Sequence, residues 1–303
     1  MSDGTFSRVA FIGIGNMGWP MAARLVGAGF HVAVYDVAPG HAGKFAAEVG
    51  GEAAASVAEA AKDADAVITI LPTSKHVAEV VAQVRPVLAK GALIVDMTSG
   101  VPTVTKGLAV SLEADGMMMI DAPVSGGVAR AKTGELAIMT GGSPAAVKRA
   151  MPLLRAMGTT ITEVGAIGAG QAMKALNNLV SAGGFLIGVE ALLIGQRFGL
   201  DAEKMVDVLN ASTGTNNSTQ KKFKQFVLSR EFNSNFGLDL LAKDLGIALE
   251  VAHDGGVAVP FSSLCRELWS AAATSLGKGH DHTEMAKFSE TLAGLTLEAN
   301  SAS

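Results

Sequence analysis

Short apolar runs recur along the first half of the chain, each bounded by glycine, proline or a polar residue: RVAFIG, HVAVYD, AVITIL, ALIVDM, MMMIDAP and LAIMTG. Successive positions in them are apolar, with no polar alternate, which marks strands buried on both faces. Between them lie stretches with helical spacing, such as MGWPMAARLVGAG and SKHVAEVVAQVRPVLAK. Strand and helix in turn predict parallel βαβ units, and hence an α/β fold built on a doubly wound sheet.

After about Thr162 the alternation stops. EVGAIGAG reads as a glycine-rich connector. Beyond it the spacing predicts helices only, over 170–197, 201–211, 217–228, 238–253, 261–276 and 283–298. Asp201 and Asp281 fit N-cap positions, the second with Glu284 three residues later. The division expected is a sheet domain over residues 1–164 and an all-α domain over residues 165–303.

The 303 residues leave room for two domains, and 49% hydrophobic against 17% charged residues provides for a large core in each. With a net charge of −4 and no basic patch interleaved with aromatics, no nucleic-acid partner is expected. KKFK, at 221–224, reads as a solvated helix face, with a phosphate contact as the alternative. One cysteine, Cys265, excludes an internal disulfide and fits a reducing compartment. The N-terminal stretch has no apolar signal core, and the apolar run 179–189 falls short of the ~20 residues a bilayer requires. A soluble, cytoplasmic protein without a membrane partner is the expectation.

Candidate chemistry starts with the longest predicted helix. Lys174, Asn177 and Asn178 stand at i, i+3 and i+4, with Gly170, Gln171 and Ser181 on the same face. The rest of the helix is apolar, and past Ser181 the polar stripe fades into Gly183, Gly184 and Phe185. A patch this local points to a site. On spacing alone a lysine that snorkels to water fits equally well.

Gly13-x-Gly15-x-x-Gly18 lies between a predicted strand and a predicted helix, with Asn16 and Met17 in the turn. In that setting it reads as a dinucleotide-binding turn, with the pyrophosphate at the helix N-terminus. Asp36 closes the next strand; a carboxylate there accepts from ribose hydroxyls and repels a 2′-phosphate. No arginine follows in 37–39, so NAD is expected over NADP. Ligands of such sheets bind outside the carboxyl ends of the strands, where LPTSKH (71–76), DMTSG (96–100) and DAPVSGG (121–127) fall. Ser125, Gly126 and Gly127 offer a hydroxyl and bare backbone amides to a carboxylate, although a flexible turn would read the same.

In order along the chain, GIGNMGWPMA, LPTS, DAPVSGG, GAGQAMKALNN and AKDLGIALE resemble the β-hydroxyacid dehydrogenase family, whose best-known member is 3-hydroxyisobutyrate dehydrogenase. The resemblance implies an N-terminal Rossmann domain followed by an all-helical domain, assembled as a homodimer or homotetramer. It implies hydride transfer between a nicotinamide cofactor and a small, 3-hydroxyisobutyrate-like 3-hydroxy acid. Lys174 is then the general acid/base. Asn178, with Asn177 beside it, contacts the substrate, and Ser125, Gly126 and Gly127 hold its carboxylate. Lys243 reaches the cofactor, Leu71 and Pro72 line its cleft, and His76 is a further candidate near it. Ser99 stands where the family usually has threonine, in DMTSG rather than DSST or DMST. Tartronate semialdehyde (2-hydroxy-3-oxopropionate) reductase and 2-(hydroxymethyl)glutarate dehydrogenase are alternatives within the family. A non-catalytic NAD-binding sensor is the alternative of another class. His280-x-His282 lacks a completing ligand set, so no metal is expected.

Overall fold

The computed structural model describes residues 6–298. The chain packs as two compact units, and the boundary falls between Lys174 and Ala175.

The first unit alternates as the pattern predicts: β1 (Val9–Ile12), α1 (Gly18–Gly27), β2 (Val32–Tyr35), α2 (His41–Glu48), β3 (Glu52–Ala53), α3 (Val57–Ala61), β4 (Ala66–Thr69), α4 (Ser74–Val84), β5 (Leu93–Asp96), α5 (Pro102–Ala114) and β6 (Met118–Asp121). Then come β7 (Val124–Ser125), α6 (Gly127–Thr133), β8 (Leu136–Gly141), α7 (Pro144–Met157), β9 (Gly158–Gly165) and the start of α8 (Ala169–Phe198). The sheet order is β3-β2-β1-β4-β5-β6-β8-β7, with β9 also beside β8. β1 to β6 are parallel, with Val9 level with Val32 on one side and Ala66 on the other. The chain winds outward in both directions from the gap between β1 and β4, which is therefore the topological switch point.

The continuous apolar runs have a direct cause. Val9 and Phe11 point into one core with Val32, Val34 and Ile68. Their neighbours Ala10 and Ile12 point into the other with Ala33, Val67 and Ile94. A strand with a core on each side has no position left for a polar residue.

Two features depart from expectation. β7 runs antiparallel to β8, and β8 meets β6 in one antiparallel pair, Asp121 with Gly141. The segment 158–165, whose end read as a connector, is a strand parallel to β8. It is an edge strand with exposed threonines and glutamate, so the apolar signature is missing from it.

The second unit is helical: the rest of α8, α9 (Ala202–Asn210), α10 (Asn217–Lys221), a π-helical turn (Phe223–Leu228), α11 (Leu238–Asp254), α12 (Pro260–Leu276), a 3₁₀ turn (His282–Glu284) and α13 (Met285–Ala293). Its core joins Phe185, Val189 and Leu192 of α8 to Phe223, Val227, Leu241, Leu245 and Trp269. Asp201 caps α9 through the Lys204 amide, and Asp281 with Glu284 forms the anticipated capping box. The helix predicted over 217–228 changes to π geometry after Lys222, and the last helix stops at Ala293, where Gly294 turns left-handed with φ of 58°. At 30 residues, α8 is long and apolar enough to cross a bilayer, but Phe185, Val189 and Leu192 bury one side of it in this core.

The compact units part later than the change in pattern at 164/165 because the first turn of α8 packs on the sheet. A Cβ at Gly170 would lie 2.3 Å from the Met139 carbonyl oxygen of β8.

Candidate active site

The glycine-rich turn joins β1 to α1. Gly13 has φ of 93°, and a Cβ on it would stand 2.5 Å from the Ile70 carbonyl oxygen. A Cβ on Gly18 would sit 1.9 Å from the Gly13 carbonyl oxygen, so helix and turn touch backbone to backbone. Gly15 differs: its Cβ would meet nothing within 4 Å. Gly15 and Asn16 are exposed and Met17 is half-buried, so the turn offers open backbone at the N-terminus of a ten-residue helix. A pyrophosphate fits that cradle. At the end of β2 the two Asp36 oxygens accept from the Ile14 amide at 2.8 Å and the Ala38 amide at 2.9 Å. Each oxygen keeps a lone pair for a ribose hydroxyl.

Beyond β4, Leu71 is half-buried and Pro72 exposed, and Leu71 Cδ2 would lie 2.8 Å from a Cβ on Gly13. Leu71 thus sides the same turn. Its amide donates to Thr98 Oγ1 at 3.0 Å, which ties this loop to the one after β5 that carries half-buried Ser99. His76 is exposed on the first turn of α4, with Nδ1 2.8 Å from Thr73 Oγ1. After β6, Gly126 and Gly127 both have positive φ, 132° and 67°, which brings α6 off the strand directly behind half-buried Ser125. The structure therefore gathers Gly13, Gly15, Gly18, Asp36, Leu71, Ser99 and Ser125–Gly127 at the carboxyl ends of the parallel strands.

Lys174 is half-buried in the second turn of α8. What seats that helix start went unread in the sequence. Asp121, the last residue of β6, accepts from the Gly168 amide at 2.6 Å and the Gln171 amide at 2.7 Å. Asp96, the last residue of β5, accepts from Thr69 Oγ1 at 2.9 Å, the Thr98 amide at 3.0 Å and Gln171 Nε2 at 3.0 Å. Burial pushes both carboxyls up to about 6, against the pull of these hydrogen bonds, and the charge of Asp96 adds to the rise at Asp121. The signal was present in DMTSG and DAPVSGG: an aspartate closes each apolar run. Only the adjacency of β5 and β6 reveals that both serve one helix.

In the second unit, Asn178 is buried, and its Nδ2 donates to Asp244 Oδ2 at 2.6 Å. Asn177 Nδ2 donates to Asn178 Oδ1 at 3.2 Å. Lys243 Nζ lies 3.2 Å from Asp244 Oδ1. Buried Asp244 thus orients two of the expected ligand-binding side chains at once. Of KKFK, Lys221 and Lys224 are exposed as expected, but Lys222 turns inward and donates to Ser181 Oγ at 3.2 Å. Lys222 is the break between α10 and the π turn, with φ of −127°, so a regular helical reading placed this residue in solvent. His282 is buried, with Nδ1 2.9 Å from Ser234 Oγ, and no group of three His, Cys, Asp or Glu side chains among the described residues could hold a metal ion.

Comparison with known proteins follows the same two-part division. Residues 8–165 match the model of the NAD-binding domain of 6-phosphogluconate dehydrogenase, and residues 168–289 match that of the NAD-binding domain of NADP-dependent 3-hydroxyisobutyrate dehydrogenase. The chain is 37% identical to mouse (Mus musculus) mitochondrial 3-hydroxyisobutyrate dehydrogenase, over 86% of this chain and 80% of that one. It is 33% identical to 2-(hydroxymethyl)glutarate dehydrogenase of Eubacterium barkeri, over 96% and 97%. The solved 3-hydroxyisobutyrate dehydrogenase of Mycobacterium tuberculosis, studied with L-serine, superposes with a TM-score of 0.86 at 34% identity, covering 95% of this chain and 99% of that one.

Proposed function

We propose, since the chain belongs to the β-hydroxyacid dehydrogenase family and is thus a nicotinamide-dependent oxidoreductase of CH–OH groups, that its substrate is a small 3-hydroxyisobutyrate-like 3-hydroxy acid and that Lys174 moves the proton. The observation that carries the residue assignment is the seating of α8. Two buried carboxylates hold the turn preceding Lys174 and so limit where that amine can stand.

The bound nicotinamide supplies the hydride acceptor. In oxidation Lys174 Nζ takes the proton of the substrate hydroxyl; in reduction it returns one to the carbonyl oxygen. Ser125 Oγ and the amides of Gly126 and Gly127 hold the substrate carboxylate. Asn178 presents its oxygen, since its Nδ2 is committed to Asp244. Asn177 supports it. Lys243, oriented by Asp244, meets the cofactor, as do Gly13, Gly15, Asn16, Met17, Gly18, Leu71, Pro72, His76 and Ser99.

NAD is the preferred cofactor in this reading, because Asp36 is held in place by two amides and would face a 2′-phosphate with like charge. The protein is read as cytoplasmic and homo-oligomeric. Val180, Ile187 and Ile194 form an exposed apolar stripe on α8 with a spacing of seven residues, which a dimer or tetramer would cover. Light scattering that reports a monomer would remove this part.

The central test follows NADH absorbance with a panel of 3-hydroxy acids. Lys174→Ala should lower kcat by about 10²–10⁴-fold while NAD affinity is kept. Near-normal turnover in that variant removes Lys174 from the mechanism. Tight NAD binding without turnover of any hydroxy acid by the unaltered protein would favour the sensor instead.

A further inference from the structure

Among the described residues Lys222 is a cation with no ion-pair partner. Its ammonium donates to Ser181 Oγ and lies 5.8 Å from the centre of the Phe185 ring. Among the described residues no carboxylate comes within ion-pair distance of it. The negative charge that acts on it, Asp281, is already committed: its oxygens accept from Ser234 Oγ at 2.8 and 2.9 Å, from the Thr283 hydroxyl at 2.6 Å and amide at 2.9 Å, and from the Phe236 amide at 3.3 Å. His282, the titratable neighbour, is held neutral, pushed down to about 4 by burial and by the Lys222 charge. Burial lowers Lys222 itself to about 8, so it still carries its proton at neutral pH.

A half-buried ammonium with one hydroxyl partner and one ring face forfeits hydration that these contacts repay only in part. It has two N–H donors to spare. Its position is equally specific. Ser181 stands at i+3 from Asn178 and i+7 from Lys174, so Lys222 reaches the far end of the polar stripe of α8. Two turns, about 10 Å along the axis, separate the two lysine positions on that face, a gap that the length and lean of the side chains shorten.

On the reading that this enzyme oxidises a 3-hydroxy acid, we propose that Lys222 and Ser181 form a subsite for a second carboxylate on the substrate, so that the preferred substrate is a hydroxymethyl dicarboxylic acid rather than a monocarboxylic one. A carboxylate fits better than a phosphate. One ammonium and one hydroxyl match a single negative charge, and the nearby Asp281 would repel a second.

The test measures kcat/KM for 3-hydroxyisobutyrate and for 2-(hydroxymethyl)glutarate in the unaltered protein, Lys222→Met and Lys222→Arg. The unaltered protein should favour the dicarboxylate by roughly ten- to a hundredfold, the range of a hydrogen bond to a charged group. The ratio should collapse toward one in Lys222→Met, chiefly through KM of the dicarboxylate, and recover in part in Lys222→Arg. Lys222→Met should also melt no lower than the unaltered protein, because it removes a half-buried charge that is compensated only in part. A preference for the monocarboxylate, or a ratio that Lys222→Met leaves in place, overturns the subsite while the dehydrogenase reading stands. A separate measurement covers the reverse case. Glutarate with NADH should raise the melting temperature of the unaltered protein and not of Lys222→Met, whether or not either acid turns over. Equal shifts in both proteins overturn the subsite.

Discussion

Gly170→Ala probes the seating of α8 at a single atom. The new Cβ would lie 2.3 Å from the Met139 carbonyl oxygen, 2.8 Å from Asp121 Oδ2 and 3.2 Å from the Asp121 carbonyl oxygen. Two of these are backbone atoms of β8 and β6, and the third is fixed by the Gly168 and Gln171 amides. About 1 Å of relief has to come from moving the helix start. Overpacking of this kind costs about 1–3 kcal/mol, and the better helix propensity of alanine returns about 0.5–1. The net loss of about 1–2 kcal/mol corresponds to roughly 2–8 °C in the melting temperature of a unit this size. Lys174 lies one turn further on, so the same displacement should lower kcat by roughly ten- to a hundredfold. The control is Gly43→Ala in α2, where the added Cβ meets nothing within 4 Å. It should be stabilising by up to about 1 kcal/mol with kcat unchanged. Differential scanning calorimetry and steady-state kinetics on both variants decide the matter. If Gly170→Ala melts and turns over like Gly43→Ala, the close packing of α8 on the sheet does not position the lysine.

The pH dependence should differ between the two units. Asp96 and Asp121 have folded values raised to about 6 from 3.8, so their contribution is full below the unfolded value and is lost as pH rises through 6. Buried His282 is lowered to about 4 from 6.5, so its contribution is present above the unfolded value and is lost as pH falls toward 4. Calorimetry from pH 7 to 5 should move the first unit's transition up and the second unit's down; parallel shifts would contradict both assignments. Asp36→Ala should bring the NAD to NADP ratio of kcat/KM from above about ten to near one, and a starting ratio that favours NADP would reverse the cofactor reading. Asp244→Ala releases Asn178 and Lys243 together, so KM for hydroxy acid and for NAD should both rise by about tenfold, and a rise in neither would separate Asp244 from both tasks.

How much was legible follows from what each element presents to its neighbours. β1, β2, β4 and β5 could be read because both of their faces are covered, leaving VAFI, and LIV ahead of the closing Asp96, without a polar position. α8 could be read to within a residue at each end because its apolar faces are long and its polar stripe is short. β9 could not, since an edge strand with TTITE looks like a loop. Nor could the inward turn of Lys222, because the break between α10 and the π turn falls on that residue and the spacing of KKFK does not mark it. The glycine pattern revealed the turn at Gly13–Gly18, whereas the roles of Asp96, Asp121 and Asp244 depend on partners 47 to 75 residues away in the chain.

Those three aspartates share a logic that stability alone does not explain. A buried carboxylate costs free energy even when it is hydrogen-bonded, and an apolar side chain of similar size would often serve the core better. What an ionised carboxylate adds is direction, because it can only accept. Facing Asp96, the Gln171 amide must present Nε2, and facing Asp244 the Asn178 amide must present Nδ2. The Gly168 and Gln171 amides at the start of α8 must likewise point at Asp121. Each constraint removes a rotational choice from a group next to a proposed reacting or binding side chain, including the choice of which end of Asn178 is left for substrate. Burial raises Asp96 and Asp121 to about 6 against the pull of those hydrogen bonds, and both carboxyls sit where the helix bearing Lys174 begins.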